Sequence, residues 1–312
     1  MKDYRLLLDN LIHDTSVRAS YLFGEPLSKH STFRIGGEAG VFIQPEDSIS
    51  FVRVLAALRS ASVRFFVAGG GSNVVFSDDG FDGAVVSTAS LCAIRSIPLG
   101  GNDVLVTCEA GASMAALVSF CAERGFCGVE EFAGLPGTVG GALFMNARCF
   151  EKQVSDIFES ANYLDSDDFA TYELNNISSE WDYKVSPFQN SSKIILSARF
   201  KLSSGASKQA IQSQCKKYIE ERKVRGHFSY PSAGSVFRNN HDFGAPSGKL
   251  IDDCGLKGTK IGGAQIAPFH GNFIINIGGA TQKDVKALVE LTVNKVKERT
   301  GFVLQPEIIF VD

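Results

Sequence analysis

Three glycine clusters carry the first chemical signal in this chain. They are Phe33-Arg34-Ile35-Gly36-Gly37, Ala68-Gly69-Gly70-Gly71-Ser72-Asn73, and Gly134-Leu135-Pro136-Gly137-Thr138-Val139-Gly140-Gly141, the last followed by Met145-Asn146. Consecutive glycines reach positive φ and let several backbone N–H groups converge on one anion. Any one cluster alone reads as a tight turn. Three in one half of a chain, one bounded by Ser-Asn and one by Arg, point to pyrophosphate binding. None is GxGxxG and none is GxxxxGK[ST], so the Rossmann fingerprint and the P-loop are both absent.

The second half holds another group of short motifs. Ala233-Gly234-Ser235-Val236-Phe237-Arg238-Asn239 sets a serine in a small-residue turn before an apolar pair. Ser247-Gly248-Lys249-Leu250-Ile251 places a lysine beside a turn, Ile261-Gly262-Gly263-Ala264-Gln265 is a further glycine turn, and Glu307 follows Pro306. Taken singly, Ser235 reads as a turn residue capping a backbone N–H, and Glu307 as a solvated strand residue.

The elements around these motifs alternate. Val41-Phe42-Ile43 reads as a strand ended by Pro45, then Ile49, Val52, Leu55 and Ala56 recur at helical spacing. Phe65-Phe66-Val67 is an apolar strand running into Gly69-Gly70-Gly71. Met114–Arg124 reads as a helix stopped by Gly125, and 158–165 and 193–202 read as strands. Ser203-Ser204-Gly205 is the best linker. Helices follow at 208–224 and 284–299, the second with Thr281 as N-cap and Gly301 beyond its end. Residues 307–311 close the chain as a strand. The first thirty residues read as a helical lead-in through Leu6, Leu7, Leu8, Leu11 and Ile12. The mixture implies an α+β protein of at least two domains.

Composition narrows the partners. The chain has 312 residues, a formal net charge of -3 and scattered Lys and Arg, which argues against nucleic acid. The polar start from Met1 to Asn10 lacks the apolar core of a signal peptide, and no run is long enough to cross a bilayer. The seven cysteines form no CxxC pair and fit reduced thiols in a cytoplasm. No His or Cys ligand spacing suggests a metal.

The order of these motifs resembles that of the UDP-N-acetylenolpyruvoylglucosamine reductase family, from Ser31 to Asp312. The matching segments are His30–Gly37, Gly69–Asn73, Gly134–Asn146, Pro231–Asn239, Gly248–Ile251, Gly262–Gln265 and Gln305-Pro306-Glu307. The resemblance implies the FAD-binding fold shared with vanillyl-alcohol oxidase over residues 31–203, and an α+β substrate-binding domain over 204–312. It implies that Arg34, Ile35, Gly36, Gly37, Gly69, Gly70, Gly71, Ser72, Asn73, Gly134, Pro136, Gly137, Thr138, Val139, Gly140, Gly141 and Asn146 hold FAD, without a covalent bond. It implies Ser235 as proton donor, assisted by Glu307, with Tyr183, Asn239, Lys249 and Gln265 near the substrate. In this family NADPH reduces the flavin, which passes hydride to the enolpyruvyl double bond. The product, UDP-N-acetylmuramate, enters peptidoglycan synthesis in the cytoplasm, and so serves cell-wall biogenesis, cell shape and division.

Two positions depart from the family pattern. The usual Tyr-Arg is Tyr183-Lys184 here, and the small Gly after Met-Asn-Ala is Arg148. Lysine keeps the charge and loses the bidentate fork. Lys184 and Arg148 are therefore expected to share the task of the missing arginine at the substrate carboxylate. The short interval from Lys184 to Ser235 suggests the subgroup lacking the tyrosine-bearing substrate loop. Two other readings remain at this stage. One is a flavin oxidoreductase of the same fold with another substrate. The other is a catalytically silent nucleotide-binding protein, which the lost arginine would favour and the retained Ser235 and Glu307 oppose.

Overall fold

The computed structural model describes residues 4–312, the side chain of Leu7 excepted. The chain divides into two compact units, each built from discontinuous segments: Met1–Phe23, Val41–Gly70 and Gly83–Glu221 in the first, Gly24–Gly40, Gly71–Asp82 and Arg222–Asp312 in the second.

The first unit begins with two short helices, α1 (Tyr4–Leu7) and α2 (Asp9–Ile12). The helical lead-in expected through residue 30 ends there, because Asp14 accepts both the N–H and the hydroxyl of Ser16 in a turn. Ala19–Pro26 is then a strand, in which Ser20 and Leu22 face outward and Ala19 and Tyr21 are partly covered. A four-stranded sheet follows, with most of its residues in this unit. Its order is Ala19–Pro26, Glu38–Pro45, Phe81–Ser87, Phe65–Ala68, the last pair being parallel. Helix α3 (Ser48–Ser60) starts where the Asp47 side chain accepts the Ser50 N–H. Its Phe51, Val54, Leu55 and Leu58 recur at helical spacing and share a core with Val41, Ile43, Ala84 and Val86 of the sheet. Each such burial stabilises by roughly 1.5–3 kcal/mol.

A second, five-stranded antiparallel sheet runs Thr171–Asn175, Phe158–Asp165, Lys193–Ser203, Asp103–Glu109, Ile94–Gly100. Helix α4 (Met114–Arg124) is capped by Ser113 and stopped by Gly125 at φ 75. It buries Met114, Leu117, Val118 and Cys121 in a core shared with Val106, Ala198 and Phe200 of the sheet. The short helix α5 (Val139–Phe144) grows directly out of the third glycine cluster. The first unit's last segment ends within helix α6 (Lys208–Val224), at Glu221.

The second unit is a four-stranded antiparallel sheet of order Ser232–Ser235, Phe273–Asn276, Ala264–Ile266, Lys260–Ile261. Gly262-Gly263 makes the tight hairpin between the last two strands. Helix α7 (Ser247–Asp253) and the long α8 (Gln282–Thr300) complete the unit. Thr281 and Asp284 form a reciprocal capping box on α8, and Gly301 closes it at φ 80. Val285, Leu288, Val289 and Val296 pack with Ala264, Ile266 and Ile274. The closing strand is shorter than the sequence suggests: Ile309–Val311 pairs in parallel with Val74–Phe76, and Glu307 lies before it.

Candidate active site

In the first unit the second and third glycine clusters lie backbone against backbone. A Cβ on Gly70 would come within 2.7 Å of Gly137 Cα, and one on Gly69 within 2.6 Å of Thr138 Oγ1. Gly137 stands at φ 100 and Gly134 at φ 75. The fixed part of the third cluster is clear: Val139 and Gly140 donate to the Ala112 and Ala110 carbonyls at 2.8 Å each. The N–H groups of Gly69, Gly70, Gly137 and Thr138 have no hydrogen-bond partner among the described residues. Backbone donors left open beside one another are what an oxyanion such as a pyrophosphate can satisfy. Thr138 caps α5 by accepting the Gly141 N–H, while Gly141 itself is exposed and Pro136 projects at the surface.

Downstream of α5 the structure brings Arg148 and Tyr183 together, with the guanidinium carbon 5.7 Å from the ring centre. Arg148 Nη2 also pairs with Glu151 at 2.5 Å. Arg148 opens a two-stranded hairpin, Arg148–Cys149 with Lys152–Gln153, whose central Phe150 and Glu151 both have positive φ, 47 and 68. Lys184 sits at φ 60 in the tight turn Asp182–Val185 and is half-buried. Asn146, expected beside the flavin, is fully buried. Its Nδ2 donates to the Asp182 carbonyl at 2.8 Å and its Oδ1 accepts the Ser155 N–H at 3.1 Å.

In the second unit the first glycine cluster is a packing device. A Cβ on Gly36 would meet Phe76 Cβ at 2.6 Å, and one on Gly37 the Asp78 carbonyl at 2.4 Å. Gly37 donates to Ser77 O and accepts from Leu27 N, both at 2.8 Å. Ile35 is buried in the unit's core, whereas Arg34 is exposed at φ 57. Gly71 packs so closely that a Cβ would strike the His30 carbonyl at 2.1 Å. Ser72 follows it, half-buried, and Asn73 donates from Nδ2 to the Glu307 carbonyl at 3.1 Å.

The segments that hold Ser235 and Glu307 meet through the backbone. The Glu307 N–H donates to the carbonyl of Val236, the residue after Ser235, at 2.7 Å. Ser235 ends its strand opposite Phe273 after an irregularity at Gly234, φ 76, and its hydroxyl has no hydrogen-bond partner among the described residues. It is a strand end and not the capping turn that the isolated serine suggests. Glu307 is 8% exposed, so the reading of a solvated strand residue fails on both counts.

The remaining expected substrate residues hold their own framework. Asn239 Oδ1 accepts the Ser247 N–H at 2.9 Å where α7 begins. Lys249 Nζ pairs with Asp253 one turn along α7 at 2.8 Å, which raises its pKa. Gln265 Nε2 donates to the Gly258 carbonyl at 3.0 Å. One residue escaped the sequence reading. Asn272 is buried, accepts the Phe237 N–H and donates to the Phe237 carbonyl, both at 2.8 Å, and so fixes the Ser235 segment from its other side. A lone Asn before an apolar strand gives no sequence signal for this.

The relatives of this chain agree on one activity. A family model described as the C-terminal domain of UDP-N-acetylenolpyruvoylglucosamine reductase matches residues 226–311, and one described as an FAD binding domain matches 39–168. A UDP-N-acetylenolpyruvoylglucosamine reductase of Treponema denticola is 42% identical over 97% of this chain and 98% of its own length. The chain belongs to the UDP-N-acetylenolpyruvoylglucosamine reductase family. The reductase of Borreliella burgdorferi is 35% identical over 91% of this chain and 92% of its own. The crystal structure of the Thermus caldophilus reductase superposes with a TM-score of 0.74 at 28% identity, covering 95% of this chain and all of that one. Membership makes the chain an FAD-dependent oxidoreductase of peptidoglycan synthesis with an α+β fold. Among the described residues no helix is long and apolar enough to cross a membrane.

Proposed function

We propose that this chain reduces UDP-N-acetylenolpyruvoylglucosamine to UDP-N-acetylmuramate in the cytoplasm with NADPH as the electron source, and so supports cell shape and division. Residues 31–203 are read as the FAD-binding domain and 204–312 as the substrate-binding domain; the family-model matches at 39–168 and 226–311 fall within these spans, whereas the compact units assign Gly24–Gly40 and Gly71–Asp82 to the second and 204–221 to the first. The open N–H groups of Gly69, Gly70, Gly137 and Thr138 fit the diphosphate of FAD. FAD held there would supply hydride transfer from NADPH to the enolpyruvyl carbon C3. The cofactor is held without a covalent bond: His30 is paired with Glu25 at 3.1 Å and Cys149 is buried.

The protein's own task is charge and proton management. Hydride arrival at C3 leaves negative charge on C2 and its carboxylate. Ser235 delivers a proton to C2, and Glu307, fixed one residue away through Val236, assists. A serine hydroxyl is a weak acid, but the enolate is strongly basic and the donor is held in place. Lys184, with Arg148, faces the substrate carboxylate. Tyr183, Asn239, Lys249 and Gln265 border the substrate.

The observation that supports this reading is the backbone hydrogen bond from Glu307 N–H to the Val236 carbonyl, which brings the Glu307 segment against the residue after Ser235, whose hydroxyl has no hydrogen-bond partner among the described residues. The test is product identification. Purified protein with NADPH and the enolpyruvyl substrate should yield a compound gaining two hydrogens, and acid precipitation should leave the yellow colour in the supernatant. Absence of that product sinks the substrate assignment, and colour in the pellet sinks the non-covalent one.

A further inference from the structure

The turn that carries Lys184 is tied to the end of α5 by side chains from both segments. Asn146 donates to the Asp182 carbonyl at 2.8 Å. Ser186 Oγ and Gln189 Nε2 donate to the Phe144 carbonyl, the last of α5, at 2.7 and 2.8 Å. Gln189 Nε2 also reaches the Lys184 carbonyl at 3.1 Å. Asn146 completes the tie by accepting the Ser155 N–H, so its oxygen and one amide N–H are engaged within the protein. Both Asn146 and Lys184 stand at positive φ, 39 and 60, a conformation that costs a non-glycine residue free energy and persists only where the surroundings hold it.

We infer that Asn146 and Gln189 are positioning residues that aim Lys184, and that Asn146 is not a flavin ligand. The reason lies in the lysine. A guanidinium is planar and pre-organised, whereas an ammonium on a four-carbon stem gains its direction only from a fixed backbone. The hydrogen bonds to the Asp182 and Lys184 carbonyls flank that backbone on either side. The inference rests on the assignment of Lys184 to the substrate.

The experiment compares Lys184→Ala, Asn146→Gly, Asn146→Asp, Gln189→Ala and the double variant Asn146→Gly/Lys184→Ala as holoenzymes. Glycine accepts the positive φ, so Asn146→Gly removes the tie without adding backbone strain. Aspartate keeps the acceptor for Ser155 and loses the donor to Asp182. Each Asn146 or Gln189 variant should raise the KM for the enolpyruvyl substrate by roughly 3- to 10-fold, the worth of one hydrogen bond. The rate of flavin reduction by NADPH and the flavin content should stay at wild-type values. The double variant should be no worse than Lys184→Ala alone. Loss of flavin in Asn146→Asp, a wild-type KM in both Asn146→Asp and Gln189→Ala, or independent effects in the double variant would overturn the positioning role. A silent Lys184→Ala would overturn the substrate assignment itself, and this inference with it.

Discussion

The two units present different kinds of chemistry. In the first, the groups open to a ligand are backbone N–H groups, at Gly69, Gly70, Gly137 and Thr138, and a side chain is excluded at Gly70 because its Cβ would lie 2.7 Å from Gly137 Cα. In the second, the groups proposed to react are side chains, those of Ser235 and of the buried Glu307, on backbone held by Asn272 and Asn73. Binding an anion needs donors without bulk, so glycine is the instrument. Moving a proton needs a specific functional group at a fixed place, so an ordinary residue on a braced strand is the instrument.

The largest expected effect is on the second kind. Ser235→Ala should slow reoxidation of reduced flavin by substrate roughly 10²–10⁴-fold, the usual worth of a positioned acid. Flavin reduction by NADPH should be unchanged in stopped-flow traces. Equal slowing of both halves would show that Ser235 is not the donor and that the two units do not divide the chemistry this way.

The next effect sharpens the contrast at the cation. Lys184→Ala should weaken kcat/KM by roughly 10- to 100-fold, as expected for a lost charged hydrogen bond. Arg148→Ala should cost less, because its guanidinium already pairs with Glu151, and the two should be non-additive in a double-mutant cycle. Wild-type parameters for Arg148→Ala, with nothing added to Lys184→Ala, would reduce Arg148 to a partner of Glu151 and Tyr183.

A smaller effect separates the two roles of glycine within the first unit. Gly70→Ala forces its Cβ onto Gly137 backbone, an overpacking worth typically 1–3 kcal/mol, and should melt lower and retain less flavin. Gly141→Ala meets only Thr138 Oγ1 at 3.5 Å and gains helix propensity of about 1 kcal/mol, so its melting temperature should hold or rise. Equal destabilisation by both would mean that the close approach of the clusters does not matter.

Much of this was legible in the residues. α4 has the bounds its spacing implies, Met114–Arg124, and α8 carries the expected Thr281 and Gly301 caps, because local periodicity and capping act within one turn. The glycine clusters announced themselves because backbone conformation is written in glycine. The strand at Ala19–Pro26 was missed because leucines at 6, 7, 8 and 11 suggest a helix that the Asp14–Ser16 turn stops. Ser235 and Glu307 were singled out as a pair only by resemblance, since their segments meet through the Val236–Glu307 hydrogen bond, which no local pattern encodes. Asn272 went unseen for the same reason.

The smallest effect concerns the second unit's stability. Burial beside Arg222 and His270 pushes His227 down to about 4. Its pKa lies below the unfolded value, so its contribution is intact above about pH 6.5 and is lost as pH falls towards 4. Urea midpoints should drop over that window by the equivalent of about 1–2 kcal/mol after allowance for partial solvent exposure. His227→Gln should flatten that part of the profile, and an unchanged slope would remove His227 as its cause.

At the centre of the account, FAD bound to this chain is expected to carry electrons from NADPH to the enolpyruvyl substrate. Anaerobic stopped-flow absorbance of the wild-type holoenzyme tests it most directly. NADPH should bleach the flavin band, and the enolpyruvyl substrate, added afterwards, should restore it with formation of UDP-N-acetylmuramate. A flavin that NADPH bleaches but the substrate leaves bleached would contradict the account.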